Sequence, residues 1–367
     1  MSAETVRPLG QQQIDELREV LEDHRYTIDA VIDRIGELGQ EGLGRNSTVP
    51  AAAALDGAHD PQATMIRLWP LQQQVSRADA EAALPLEMLV GAGILAVDGD
   101  QVRAEVDIRP YGSADDQATG WVVGDPMPGL DQMVTRTRPD YVLGVSPAST
   151  SLAQMTMRTP VGSALDLGTG CGVQSLHLAR HAQRVVATDI NARALECARL
   201  TAGLNRIDVD VRDGSLYEPV AGERFDLIVT NPPYVMSPPT TDGERLVYRE
   251  GSFSGDGLVR TIVTGAPDHL NDGGSLQVLG NWAILEGQRW EERVASWAKD
   301  SGCDLWVVER ERLDIYNYIE VWLTDAGLAG SPEWMPRYRQ WIEYFNALGI
   351  TGVGMGWFTL TKAGRAV

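Results

Sequence analysis

The chain has 367 residues and a mass of 40.0 kDa, more than one hydrophobic core usually supports, so a large domain with a smaller one is expected. Its net charge of −20 at pH 7 disfavours polyanionic partners, because like charges repel. Three scattered cysteines indicate neither a disulfide framework nor a zinc site. Without a secretory h-region or a long apolar run, we expect a cytoplasmic protein with no membrane partner.

The first part of the chain predicts helices followed by a β-hairpin. Apolar residues recur at helical spacing in "QQQIDELREVLEDH" and "TIDAVIDRIGEL". Two β-like runs, 94–97 and 102–108, then flank an Asp-Gly turn. Residues 1–112 are therefore predicted to form a helical, winged-helix-like domain, and a helical cap that packs on the main domain is an equal alternative.

The rest of the chain alternates candidate strands and helices. The strands "SALDLG", "RVVATDI", "IDVDVRDG", "FDLIVTN" and "GSLQVLG" are separated by helical stretches, one of them "LEGQRWEERVASWAKDSG". This alternation is typical of βαβ units, so we predict an α/β fold with a doubly wound, mostly parallel sheet. We expect connecting strands and a loop over 113–155, and a main domain over 156–367 with a two-helix insertion at about 312–348.

Polar groups and glycines follow the first three of these strands. Glycines let a backbone approach a ligand closely, and a carboxylate at the second strand end can accept two hydrogen bonds from a ribose diol. The third strand end offers a carboxylate and amides that can read an adenine edge. The predicted cofactor-binding residues at these strand ends are Asp166, Gly168, Thr169, Gly170, Gly172, Asp189, Ile190, Asp213, Gly214 and Ser215.

The spacing of the glycines separates two classes of cofactor. Dinucleotide sites favour G-x-G-x-x-G, whereas this chain has G-x-G-x-G preceded by Asp166. In these residues the sequence resembles the class I S-adenosylmethionine-dependent methyltransferases, and an NAD enzyme is the alternative. The resemblance implies S-adenosyl-L-methionine as cofactor and a seven-stranded Rossmann-like sheet. In that sheet the final strand, "GVGMGWFTLTK", would be the antiparallel edge strand.

The fourth strand runs into Asn231-Pro232-Pro233-Tyr234, where two prolines remove two backbone donors and stiffen the chain. Amino-group methyltransferases of this class carry (N/D/S)-P-P-(Y/F/W) at this place. The resemblance implies that the Asn231 side-chain oxygen and the Pro232 carbonyl accept hydrogen bonds from the acceptor NH₂ group. It also implies that Tyr234 stacks on the planar group bearing that nitrogen, and that Asn231 borders the cofactor. A proline pair that only terminates the strand is the alternative.

Within this class the sequence is similar to release-factor glutamine methyltransferases and to the small-domain RNA methyltransferases. The likeness includes Gly255-Asp256-Gly257-Leu258 and "GVSPASTSLAQM", and it covers about residues 141–308. We therefore predict an N-methyltransferase that acts on a planar amino or amide nitrogen. The acidic charge favours a protein glutamine or a small molecule as acceptor. An RNA or DNA base, and a catalytically idle subunit that binds a partner, remain the alternatives.

Two other patterns have simpler interpretations. His177 and His181 are four residues apart but lack the glutamate of H-E-x-x-H, so we predict a surface pair and no metal site. Cys171 is predicted to be a small packing residue in the glycine turn.

Overall fold

The computed structural model describes residues 6–133, 137–239 and 253–363. Helices dominate the N-terminal part of the described chain. They are α1 (Gln11–Asp23), α2 (Ile28–Gly44), α3 (Val49–Ala54), α4 (Pro61–Leu68), α5 (Arg77–Ala83) and α6 (Leu86–Gly91).

A small antiparallel sheet accompanies these helices. Its strands are β1 (Val75–Ser76), β2 (Leu95–Asp98) and β3 (Gln101–Ala104), in the order β1-β3-β2. The hairpin β2–β3 follows α5 and α6, which agrees with the predicted helical, winged-helix-like organisation.

The predicted strand 102–108 is divided in two. The amides of Glu105 and Val106 both donate hydrogen bonds to the carbonyl of Ile94. This shared acceptor ends the regular pairing of β3. The chain continues as β4 (Asp107–Gly112), which pairs with β5 (Thr119–Gly124) in a separate hairpin.

The main sheet has seven strands. They are β6 (Val161–Leu167), β7 (Ala182–Asp189), β8 (Val209–Asp213), β9 (Phe225–Thr230), β10 (Leu270–Leu285), β11 (Asp304–Asp314) and β12 (Ile350–Thr361). The helices are α7 (Pro147–Met155), α8 (Val173–Leu178), α9 (Ala192–Leu204), α10 (Gly257–His269), α11 (Trp290–Ala295), α12 (Ile315–Asp325) and α13 (Trp334–Ala347). The predicted doubly wound α/β fold is confirmed.

The strand order is β11-β12-β10-β9-β6-β7-β8, and the pairs among β6 to β10 are parallel. β12 lies between β10 and β11 and is antiparallel to both, so the prediction of an edge position for the final strand was wrong. Its glycines fit a position between two strands: a Cβ on Gly356 would lie 1.9 Å from the Val308 carbonyl oxygen, and one on Gly354 would lie 2.3 Å from the Trp282 ring.

The helix predicted over 285–302 is shorter than expected. Leu285 still pairs with Ile350 in the sheet, so the helix begins only at Trp290. The two helices expected at 312–348 are α12 and α13.

The N-terminal part packs directly on the main sheet's helices through one continuous hydrophobic cluster. That cluster joins Leu17, Trp69 and Trp121 to Cys171 and Leu200. The division at residues 112 and 155 stays a prediction.

Polar contacts reinforce this packing. Arg193 of α9 forms a buried ion pair with Asp125, whose carboxylate also accepts from the Val142 amide at 2.7 Å. Asn205 bonds both the amide and the carbonyl of Trp121, at 2.9 and 2.7 Å. The connecting segment is therefore anchored on α9, through Arg193 in its first turn and Asn205 at its end.

Candidate active site

A cavity of about 200 Å³ lies at the carboxyl ends of β6, β7, β8 and β9. Such an edge is where open parallel sheets bind ligands. Four strand ends contribute predicted residues to the lining. These are Gly168, Thr169, Gly170, Asp189, Ile190, Gly214, Ser215, Asn231 and Pro232.

The glycine turn leaves open space on its cavity side. The amides of Gly168 and Thr169 donate to the Thr188 carbonyl at 2.8 and 2.9 Å, which fixes the turn against β7. Gly168 and Gly170 have φ of +73° and +55°, and a Cβ on either would meet no atom within 4 Å. A ligand can therefore approach the backbone of this turn.

Asp166 lies below the turn rather than in the cavity lining. Its Oδ2 accepts from the Thr169 hydroxyl at 2.6 Å, and from the Ser175 hydroxyl and amide at 2.6 and 3.0 Å. Burial raises the pKa of this carboxyl to about 6. Asp166 therefore shapes the turn by tying it to α8.

Gly172 also lies outside the lining. A Cβ at this position would stand 3.2 Å from the Cα of Ala198, so glycine allows α8 and α9 to pack closely.

Asp189 connects the glycine turn to the start of α9. Its Oδ2 accepts from the Gly170 amide and its Oδ1 from the Asn191 amide, both at 2.9 Å. Burial raises the pKa of this carboxyl. The side chain is thus held at the cavity wall with both oxygens oriented.

The third strand end contributes backbone and hydroxyl groups. Gly214 and Ser215 line the cavity, and the Gly214 amide donates to the Asp189 carbonyl at 3.0 Å. The Asp213 side chain is exposed and lies outside the lining.

The charge of the lining is negative. Asp189 is its acidic residue, and the described residues that form it include no Lys, Arg or His. The cavity therefore favours a ligand with a net positive charge over a polyphosphate.

Asn231 lines the same cavity and carries an unpaired acceptor. The preceding Thr230 donates its hydroxyl to the Leu167 carbonyl at 2.6 Å, which holds the end of β9 against β6. The Oδ1 atom of Asn231 is buried and has no hydrogen-bond partner among the described residues. A buried acceptor without a partner costs about 1–3 kcal/mol, so this atom is available to a ligand donor.

Two aromatic residues line the cavity, Tyr141 and Phe253, and the sequence singled out neither of them as a site residue. Tyr234 lies outside the lining and packs against the buried cluster containing Leu152 and Leu279, and burial raises its pKa. Phe253 lines the cavity and is 38% exposed. It lies just before Gly255-Asp256-Gly257-Leu258, but no sequence pattern marks it as a wall of the site.

The start of α7 also lines the cavity through Ser146 and Ser149. Ser146 caps the helix by accepting from the Ser149 amide at 3.2 Å, and Gln174 of α8 donates to the Ser149 carbonyl at 2.7 Å. Sequence reasoning noted this segment only as a likeness. A serine followed by proline at a helix start was the available signal.

The prediction of a surface histidine pair was wrong for His177. This side chain is buried, with Nε2 2.7 Å from the Tyr111 hydroxyl and Nδ1 2.6 Å from the Asp116 carboxylate. The β4–β5 hairpin covers α8 here, which helical spacing alone does not reveal. Cys171 is buried, and burial raises the pKa of its thiol to about 12, which suits a packing residue.

The described ranges contain neither a candidate metal cluster nor a membrane-spanning helix. Among residues 6–133, 137–239 and 253–363, no group of three His, Cys, Asp or Glu side chains could hold a metal ion. None of the helices in these ranges is long and apolar enough to cross a membrane.

Comparison with known proteins identifies the part of the chain that forms this site. Residues 144–296 match the family described as "Methyltransferase small domain". This match contains the glycine turn, Asp189 and Asn231, and it confirms the predicted resemblance to methyltransferases. Residues 23–105 match a domain of unknown function, DUF7059.

Individual relatives cover part of the chain. A release factor glutamine methyltransferase of Xylella fastidiosa is 42% identical over 141 residues, which is 35% of this chain and 48% of that protein. A ribosomal RNA small subunit methyltransferase C of Erwinia tasmaniensis is 31% identical over 198 residues, 53% of this chain and 52% of that protein. The chain thus spans about half the length of these curated relatives.

A solved methyltransferase from Pyrococcus furiosus aligns with a TM-score of 0.36 at 16% identity. The alignment covers 59% of this chain and 83% of that one.

Proposed function

We propose that the chain is an S-adenosyl-L-methionine-dependent N-methyltransferase whose acceptor is a planar amide or amino nitrogen. One observation carries the proposal: Asn231, whose buried Oδ1 has no partner among the described residues, lines the same cavity as the open glycine turn and Asp189. A proline pair that only ended a strand would not require a buried acceptor there.

The residues of the cavity fit this cofactor. Gly168, Thr169 and Gly170 would hold its methionine part along the open turn, and Asp189 would accept hydrogen bonds from its ribose diol. Ile190, Gly214 and Ser215 would border the adenine. When bound, the cofactor supplies a methyl group that its sulfonium charge activates, and this cationic charge suits the negative lining. The pyrophosphate of NAD would find no cation among the described lining residues.

Asn231 and Pro232 would act on the acceptor. An amide or base nitrogen is a weak nucleophile because its lone pair is delocalised into the adjoining π-system. Hydrogen bonds from the acceptor NH₂ to Asn231 Oδ1 and the Pro232 carbonyl would orient the nitrogen and stabilise the positive charge that develops on it. The prolines keep both acceptors in place before substrate arrives, so little reorganisation is needed.

We assign the aromatic wall of the acceptor position to Phe253 rather than to Tyr234. Phe253 lines the cavity and is 38% exposed, whereas Tyr234 lies outside the lining and packs against the core. Tyr141 also lines the cavity, but it is only 4% exposed. A phenyl ring can stack on a planar amide or base without a hydrogen bond.

We favour a protein glutamine or a small molecule as acceptor over a nucleic-acid base. The net charge of −20 opposes binding to a polyanion. Cations near the sheet are engaged internally: Arg184 and Arg212 both pair with Glu223, and Arg293 pairs with Asp256. The relative with 42% identity is named for a protein glutamine acceptor, and the relative with 31% identity for ribosomal RNA.

The test is methyl transfer from isotope-labelled cofactor to cell extract, followed by separation of protein, nucleic acid and small molecules. We expect label in the protein or small-molecule fraction, and an initial rate of labelling roughly 10²–10³-fold lower with Asn231→Ala. Label confined to nucleic acid would overturn the favoured acceptor class. Cofactor binding without transfer to any fraction would favour the idle subunit and overturn the proposed activity.

A further inference from the structure

The helices α12 and α13 pack on the chain that follows N-P-P-Y. They lie beyond residue 296, where the match to the methyltransferase family ends. Val235 and Met236 are 6% and 1% exposed and belong to one cluster with both helices. The helix residues in that cluster are Ile315, Tyr318, Ile319, Leu323, Trp341 and Phe345.

A buried tyrosine hydroxyl joins α12 to this part of the chain. Tyr318 Oη accepts from the Met236 amide at 3.0 Å and from Asn281 Nδ2 at 3.1 Å. Tyr318 and Asn281 are both 0% exposed. Val278 of β10 pairs with Thr230 of β9, so Asn281 lies three residues further along β10, at the level of N-P-P-Y. The hydroxyl therefore braces the turn against the neighbouring strand.

A second tyrosine hydroxyl holds the chain near Phe253. Tyr344 Oη of α13 accepts from the Gly255 amide at 2.7 Å. Gly255 follows two residues after Phe253, which lines the cavity. The helix pair thus contacts the backbone on both sides of the proposed acceptor position.

We propose that α12 and α13 form a positioning element for the acceptor site, and that Tyr318 is the positioning residue of the N-P-P-Y turn. This inference rests on the proposed function. Pro232 and Pro233 restrict the backbone next to Asn231, and Val235 and Met236 are buried, so we expect a displacement at Met236 to be transmitted to the Asn231 side chain. A displacement of about 1 Å in a reacting group can lower a rate by about 100-fold.

The test compares two Tyr→Phe substitutions in the same helix pair. Tyr318→Phe removes the shared acceptor, and we expect single-turnover methyl transfer to fall about 10-fold or more, with cofactor affinity within about twofold of wild type. Tyr338→Phe is the matched control, because its hydroxyl bonds Glu320 at the exposed surface, 3.0 Å away. An unchanged transfer rate in folded Tyr318→Phe would overturn the inference.

A double mutant separates positioning from general stability. If Tyr318 acts through Asn231, Tyr318→Phe should slow transfer by less than about twofold in an Asn231→Ala background. A full 10-fold loss in that background would show that the effect does not pass through Asn231, and the proposal would fail.

Amide hydrogen exchange distinguishes failure of this inference from failure of the proposed activity. Exchange over residues 231–239 should accelerate in Tyr318→Phe and stay unchanged in Tyr338→Phe. Absence of methyl transfer by the wild-type protein would count against the proposed function alone. Unchanged exchange in Tyr318→Phe would count against the positioning role.

Discussion

Replacement of Asn231 by alanine should separate catalysis from folding. Its Oδ1 has no partner among the described residues, so truncation breaks no hydrogen bond to that atom. We expect the free energy of unfolding to change by about 1 kcal/mol or less and cofactor affinity to stay almost normal. Methyl transfer should fall roughly 10²–10³-fold, the loss of about 2.7–4 kcal/mol that follows removal of one preorganised polar contact.

The assay for Asn231→Ala is single-turnover methyl transfer to the identified acceptor. Calorimetric titration serves as the control for cofactor binding, and a thermal melt serves as the control for folding. Asn231→Asp should keep part of the activity, because a carboxylate oxygen also accepts hydrogen bonds. Near wild-type transfer by folded Asn231→Ala would show that N-P-P-Y only ends a strand here, and the proposed function would be refuted.

Three further predictions concern the charged groups around the site. Asp189→Ala should weaken cofactor binding by about 1.5–3 kcal/mol in calorimetry, and unchanged affinity in the variant would remove Asp189 from the site. Because burial raises the pKa of the Asp189 carboxyl, the cofactor affinity of the wild-type protein should increase with pH as this group ionises. The pKa of Asp166 is about 6 in the folded state and about 3.9 in the unfolded state, so the stability of the wild type relative to Asp166→Asn should fall by on the order of 2 kcal/mol as pH rises from about 4 to 6. Urea unfolding of both proteins measures this difference, and a difference that does not change with pH would contradict the prediction. Asp125→Ala leaves the buried Arg193 charge unpaired and should cost about 3–5 kcal/mol of unfolding free energy in the same assay, whereas a loss under about 1 kcal/mol would show that the pair is not desolvated.

Most of the cavity was predictable from strand ends. Apolar runs identify β6, β7, β8 and β9, and the carboxyl ends of parallel strands meet at one edge of a sheet. Gly168, Asp189, Ser215 and Asn231 are therefore brought together by local patterns plus one topological rule. Their individual roles as cofactor and acceptor contacts stay predictions.

The roles of Asp166 and Tyr234 illustrate what strand ends do not reveal. Both follow the family pattern in sequence, yet Asp166 bonds Thr169 and Ser175 beneath the turn, and Tyr234 packs into the core. Which side chain faces the cavity depends on the rotamers and neighbours of each turn, and these are set by packing.

Long-range contacts account for the remaining differences. His177 is buried because a hairpin some 60 residues earlier supplies Tyr111 and Asp116, separated from it by 66 and 61 positions. β12 enters between β10 and β11 because Gly354 and Gly356 leave room for both neighbours. The hydrophobic period of a segment and the residues of its turns do not predict which distant segment will pack against it.

The sequence by itself determined the alternation of strands and helices, the glycine turn and the stiff N-P-P-Y, because each depends on residues close together in the chain. The tertiary structure alone decided which of those residues line the cavity, that Tyr141 and Phe253 are among them, and that Tyr318 and Tyr344 contact the chain on its flanks. The physical reason is that burial and hydrogen bonding of a side chain depend on whatever packs against it. At this site the packing segments are α12 and α13, whose Tyr318 and Tyr344 lie about 80 to 90 positions further along the chain than the residues they contact.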